Sequence, residues 1–246
     1  MMTAMKEYTS AVKRLISEIA ESQESLMMQA ARMIADAVKR YGIVYTFGTG
    51  HSHIIAEDVA YRAGGLVPVD AILEPSLTGH QQVHKSETME RVEGMAQVIF
   101  DYYGISDKDI MIVISNSGRN AAPIEMAQIC QKSNVPVIAI TSMQYSKSVS
   151  SRHSSGTKLY QHADVVIDNL GPLGDCLLQL DGVSQQIGPS SGVIGLYILH
   201  SIIVQAIQNL KDDGVDPPVF RSGNLDGSDE VNKKLLKKYH GRVKLW

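Results

Sequence analysis

Two short polar segments carry residue types suited to holding a small anion. The first, Gly48-Thr49-Gly50-His51-Ser52-His53, directly follows the apolar run Ile43–Phe47. The second, Ser115-Asn116-Ser117-Gly118-Arg119-Asn120, directly follows Ile110–Ile114. Both offer hydroxyls, side-chain amides and unhindered backbone N–H groups. If each opens a helix, the unpaired N–H groups and the helix dipole favour negative charge there. Either segment alone reads equally well as an ordinary N-cap, since Ser, Asn and Gly are common capping residues. Two of them at equivalent strand ends point to one shared anion site. The anion need not be a dinucleotide. Gly48-x-Gly50 starts the G-x-G-x-x-G pattern, and Asp70 lies 20 residues beyond Gly50. But His53 fills the third position, where a small residue allows close helix packing. The Ser-x-Ser-Gly turn fits a single phosphate, and no Walker A signature is present.

Groups able to move protons are also visible. His200 interrupts an apolar stretch, Ile198-Leu199-His200-Ser201-Ile202. It reads equally as a core histidine hydrogen-bonded to a carbonyl. Glu87, Glu90 and Glu93 are three residues apart, near His80 and His84, so they share a face if the following helix starts early. The alternative is a solvated acidic face near a helix start. Ser146–Ser155, rich in serine with Lys147, Arg152 and His153, reads as a flexible basic loop able to close over a ligand.

The elements that must position these groups follow from periodicity. Val12, Leu15, Ile16 and Ile19, then Leu26, Met27, Ala30, Ile34 and Val38, recur at helical spacing through the first forty residues. Strand-like runs follow at Ile43–Phe47, Leu66–Ile72, Ile110–Ser115, Val135–Thr141 and Ala163–Ile167. Helical patterns fall at about 53–63, 88–103, 121–133 and 190–210, with a last one at 229–240. The strands are nearly all apolar, so both sheet faces should be covered. The expectation is an α/β fold, a doubly wound, flavodoxin-like, five-stranded parallel sheet flanked by helices. An N-terminal helix (1–34) would precede the central domain (35–212) and a C-terminal extension (213–246) would follow it. Ligands of such sheets bind beyond the carboxyl ends of the strands, where both polar segments lie.

Composition narrows the function classes. The 246 residues include 23 basic and 26 acidic side chains and are 44% hydrophobic. That balance argues against a broad nucleic-acid surface and against disorder. The longest apolar run, Val193–Ile207, is shorter than the ~20 residues of a membrane span. Only Cys130 and Cys176 are present, and the start has no apolar leader core, so a reduced, cytoplasmic protein with no membrane partner is expected.

Taken together, the two loops resemble those of the sugar isomerase (SIS) domain, whose members bind phosphosugars. A third match is Gly188-Pro189-Ser190-Ser191-Gly192, opening the helix at 190–210. The resemblance spans roughly residues 35–212 and extends to a less characterised bacterial branch of the family. It implies phosphosugar binding by Gly48, Gly50, His51, Ser52, Ser115, Asn116, Ser117, Gly118, Asn120, Ser190 and Ser191. It implies a homodimer or homotetramer. No cofactor is expected, and no metal, because the ligands that would accompany His200 in a zinc site are not all in place. His200 is similar in place to the catalytic histidine of phosphoheptose isomerase. The glutamate found there ten residues after the first-loop serine is Arg62 in this chain. An isomerase would then draw its base from Glu87 or Glu90. A non-catalytic phosphosugar sensor is the other reading.

Overall fold

The computed structural model describes residues 3–79 and 82–245. Two helices, α1 (Ala4–Ser22) and α2 (Glu24–Lys39), lead into β1 (Val44–Gly48), α3 (Ser52–Asp58) and β2 (Val69–Ile72). Next come α4 (Val83–Met89), α5 (Met95–Tyr103), β3 (Ile110–Ile114), α6 (Ala121–Lys132), β4 (Val137–Thr141) and α7 (Met143–Ser148). A 3-10 turn at Leu159–His162 precedes β5 (Val165–Asp168), β6 (Cys176–Leu178) and β7 (Ile187–Pro189). The chain closes with α8 (Ser191–Asp212) and α9 (Ser228–Lys238). The main sheet is five-stranded in the order β2-β1-β3-β4-β5, and every adjacent pair is parallel.

Alternation along the buried strands divides the core in two. Val44, Ile110, Ile112, Ile114, Ile138, Ile140, Val165 and Ile167 face one side, with α1, α2, α3 and α8. Tyr45, Phe47, Met111, Val113, Val137 and Ala139 face the other, with α5, α6 and the C-terminal residues Phe220, Tyr239 and Val243. Neighbouring residues of a strand point to opposite faces. A continuous apolar run is therefore what a sheet covered on both sides needs.

Several expectations change. The first forty residues are two helices, broken at Gln23, whose backbone has left helical geometry (φ −107°, ψ 0°). The pattern at 88–103 is also interrupted. Gly94 adopts a left-handed conformation (φ 87°), which separates α5 from α4 and turns Glu93 away from the face of Glu87 and Glu90. The small β6–β7 hairpin and α7 carry no pattern that periodicity would catch. α8 is longer than its apolar run. At 22 residues and a mean hydropathy of 1.5 it meets the length and composition of a membrane span, yet half of that stretch is buried within the protein. Both cysteines are free thiols.

The C-terminal extension is fastened at the amino ends of the strands. Arg242 donates to the buried Asp109 (2.9 Å), which also accepts the backbone N–H of Ile43 (2.8 Å). The Lys244 N–H donates to Asp70 on β2 (2.6 Å). Asp70 is fully buried, and its second oxygen has no hydrogen bond among the described residues. Burial pushes its carboxyl up to about 6, against the opposing pull of the Lys244 and Leu245 N–H groups and the Lys244 charge. The folded value exceeds the unfolded one, so the fold favours the protonated form. That contribution is complete below about pH 4 and is lost as pH rises through about 6, a loss of up to about 3 kcal/mol. Asp70→Asn should abolish this loss. Urea unfolding of both proteins at about pH 4.5 and about pH 7.5 checks it, and parallel losses would mean that Asp70 ionises without cost.

Candidate functional site

A cavity of about 800 Å³ opens over the carboxyl ends of β1 and β3. Its position follows from the strand order. The chain leaves β1 towards β2 on one side and leaves β3 towards β4 on the other, so the two loops diverge and leave a crevice between them. The cavity is lined by Gly50, His51 and Ser52 from the first loop and by Ser115, Asn116, Ser117 and Asn120 from the second. Glu57, Glu87, Glu90, Tyr145, Asp175 and Ser191 complete much of the wall. Among the described residues no lysine or arginine lines it. An anion in this cavity would therefore be held by neutral donors, while carboxylates form much of the remaining wall.

Backbone constraints shape both loops. A Cβ on Gly48 would stand 2.6 Å from the carbonyl carbon and oxygen of Ser52. Gly48 thus lets the strand run directly under the first turn of α3. Gly50 and Gly118 have positive φ (51° and 56°), which lets each loop turn back sharply. Neither Gly48 nor Gly118 reaches the cavity wall, so both shape the loops from beneath.

The side chains divide into engaged and available groups. The hydroxyls of Ser52 and Ser117 make no hydrogen bond among the described residues, and His51 is exposed at the rim. Ser115 is buried and its Oγ accepts the Gly118 N–H (3.2 Å). The Asn116 amide oxygen accepts from Asn169 (2.9 Å), which ties the second loop to the end of β5. The Asn120 amide is used at both ends. Its Nδ2 donates to Glu90 Oε1 (2.6 Å), and its Oδ1 accepts from Arg152 (3.1 Å). Glu90 Oε2 accepts from the Thr49 hydroxyl (2.6 Å), so one carboxylate joins both loops. Burial holds the Glu90 carboxyl above the usual carboxylate range, opposed by the Thr49 hydrogen bond and the charges of Arg91 and Arg152.

Ser190 and Ser191 have different partners from those the resemblance implies. Both hydroxyls donate to Asp175 (2.8 and 2.6 Å), as do both backbone N–H groups (3.2 and 2.8 Å). Asp175 is a carboxylate cap on α8, satisfying donors that a helix start leaves open. Ser191 still borders the cavity, whereas Ser190 is fully buried. His200 lies nine residues further along the same helix, about 13 Å at 1.5 Å per residue. Its Nε2 pairs with Asp58 Oδ2 (2.7 Å), and Asp58 Oδ1 accepts from Arg62 (2.7 Å). His200 and Arg62 border a separate cavity of about 60 Å³.

The glutamate group also divides. Glu87 and Glu90 line the large cavity, while Glu93 accepts from the Ser154 N–H and hydroxyl (2.6 and 2.7 Å). His84 is exposed, and His80 lies outside the described residues. The Ser146–Ser155 loop, expected to be flexible, is held at several points. Arg119 donates to the Ser150 carbonyl (2.9 Å), and the buried Lys158 amine donates to the carbonyls of Ser146 and Val149. Sequence reasoning missed Thr49 and Asp175. Thr49 sits inside a quoted motif, but Asp175 reaches the helix start only through the β6–β7 hairpin and carries no local signal.

This sheet order defines an α/β protein with an open crevice at the β1/β3 switch point. The chain belongs to the SIS domain family, whose model matches residues 7–142. It is 41% identical over 97% of its length to UPF0309 protein BH3325 of Halalkalibacterium halodurans, 99% of which is covered. Among solved structures, a phosphoheptose isomerase from Neisseria gonorrhoeae shares the fold at 16% identity. The TM-score is 0.58, with 83% of this chain and 97% of that one covered. The Vibrio vulnificus NanR protein complexed with ManNAc-6P shares it at 12% identity and a TM-score of 0.51, covering 96% of this chain and 69% of that one.

Gly48→Ala tests the loop packing. The added methyl group must displace the first turn of α3, and such overpacking typically costs about 1–3 kcal/mol. Thermal unfolding should show a lower Tm. An unchanged Tm would mean that the loop and α3 are not locked together at this point.

Proposed function

We propose that the protein binds a sugar phosphate in the large cavity and interconverts its aldose and ketose forms. The reading rests on one observation: the half-buried Glu90 carboxylate and the unengaged Ser52 and Ser117 hydroxyls share one cavity. The phosphate ester would lie between the 48–52 and 115–120 loops, taking donors from Ser52, Ser117 and backbone N–H groups. The sugar carbons would then extend towards Glu87 and Glu90. Glu90 would take the proton from the carbon beside the carbonyl and return it to the neighbouring carbon, through an enediol. Burial raises the basicity of this carboxylate, which suits that task. His51, at the rim, would assist ring opening. A sugar phosphate also agrees with the ligand of the NanR protein, ManNAc-6P, and with the name of the Neisseria isomerase. The homo-oligomer implied by the resemblance belongs to this reading. Ile54, on the cavity wall, and Val193, two residues beyond Ser191, are 49% and 44% exposed, and a second copy would cover them.

Arg62 favours a second reading, a phosphosugar receptor without catalysis. It stands where the resembling enzymes carry a glutamate, and His200 is paired with Asp58 away from the large cavity.

Sugar phosphates incubated with the protein in deuterated water separate the two. An isomerase introduces deuterium beside the carbonyl, and Glu90→Gln should lower that exchange by roughly 10²–10⁴-fold. Ligand binding that saturates with no exchange for any hexose or pentose phosphate would leave the receptor. Ser117→Ala should weaken binding by about 1.5–3 kcal/mol, since the lost hydrogen bond is to a charged acceptor. Calorimetry measures this, and unchanged affinity would remove the phosphate from that loop.

A further inference from the structure

Arg152 lies outside the cavity wall, yet it ends a hydrogen-bonded chain that reaches the carboxylate inside. Its Nη1 donates to Asn120 Oδ1 (3.1 Å), Asn120 Nδ2 donates to Glu90 Oε1 (2.6 Å), and Thr49 donates to Glu90 Oε2 (2.6 Å). An amide has one acceptor end and one donor end. The carboxylate can only accept and the guanidinium can only donate, so Glu90 and Arg152 hold the Asn120 amide in one orientation from opposite ends.

The loop that carries Arg152 is built to hold it still. The Arg152 N–H donates to the Arg119 carbonyl (2.8 Å), so the loop is pinned to the phosphate-loop candidate itself. The next residue, His153, has a nearly buried side chain. Its Nε2 lies 3.5 Å from Glu125 and 3.8 Å from Glu93. Ser154 adds two hydrogen bonds to Glu93. These five contacts, made by three successive residues, fix the backbone on either side of the guanidinium bonded to Asn120.

We propose that Arg152 is a positioning residue: through Asn120 it orients the Glu90 carboxylate, and its charge offsets the negative charge placed in the cavity. The function of that carboxylate as a base rests on the isomerase reading above; its orientation by Arg152 does not. The charged groups facing Glu90 are Arg91 and Arg152, which stabilise its ionised form, and Glu87, which opposes it. Arg119 and Arg91 in turn repel Arg152, so a second role as counter-charge to Glu90 suits its surroundings.

Two substitutions separate orientation from charge. Arg152→Lys keeps the charge but loses the planar fork, and Arg152→Met loses both. The direct readout is the carboxyl resonance of Glu90 in ¹³C-glutamate-labelled protein, assigned by its absence in Glu90→Gln and titrated with no ligand present. Arg152→Met should move the midpoint to higher pH, while Arg152→Lys should leave it nearer the wild-type value. In deuterium exchange, both variants should lose roughly ten- to a hundred-fold in rate, as misplacing a catalytic group does. The acid limb should move up only in Arg152→Met. A Glu90 midpoint unchanged in Arg152→Met overturns the proposal and leaves Arg152 a loop anchor that affects only Tm. If the wild type exchanges no deuterium, the isomerase reading falls, and the carboxyl titration still decides the role of Arg152.

Discussion

The reversal of strand order between β1 and β3 is the constraint on which the site depends. In a parallel sheet covered on both faces, the backbone groups within the sheet are paired and the interior is apolar. Polar side chains can gather only at the strand ends. At the junction of β1 and β3 the loops part, and the helices that follow them, α3 and α6, begin on either side of the gap. Donors left open by helix starts, hydroxyls and amides therefore meet there without any special arrangement of side chains. Gly48 matters because it brings strand and helix together closely enough for the gap to stay narrow.

A carboxylate placed next to such a site is costly, and the structure provides for it locally. Glu90 is half-buried between the loops and takes hydrogen bonds from Thr49 and Asn120, one from each. Burial raises its proton affinity, and the smaller opposing effects are the Thr49 hydrogen bond and the charges of Arg91 and Arg152. On the proposed reading, a phosphate bound between the loops would add a like charge and raise the proton affinity of Glu90 further. Glu87, also on the wall, acts in the same direction. The cationic groups that counter this, Arg91 and Arg152, stay out of the cavity. They moderate the field without occupying the position of a ligand.

The sheet and both loops were legible because their signals are local. Five apolar runs place the strands and their order of appearance, and the small polar residues after two of them mark the end where the cavity lies. One misplaced feature has a local cause: Gly94, left-handed, separates α5 from α4, and Glu93 goes to Ser154 while Glu90 stays in the cavity. The others have causes far along the chain. Ser190 and Ser191 match the family motif, but nothing nearby reveals that Asp175 takes their donors. His200 matches by helix and spacing. Its partner, Asp58, comes from α3, and only the packing of α3 against α8 brings the two together. The serine-rich loop reads as mobile by composition, whereas tertiary hydrogen bonds hold it in place.

These distinctions explain why the fold alone cannot divide enzyme from receptor. Both need the crevice, the hydroxyls and the neutral donors, and the fold supplies all of them. Catalysis adds one demand, a base held at a set angle with a proton affinity suited to its work. On the proposed isomerase reading that demand falls on Glu90, which Thr49 and Asn120 hold from the two loops. The pair His200–Asp58 and the cation at Arg62 show that the same helices can carry ionisable groups that are spent on each other instead. On the isomerase reading, the hydrogen bonds that hold Glu90 from both loops are the feature by which the two functions part.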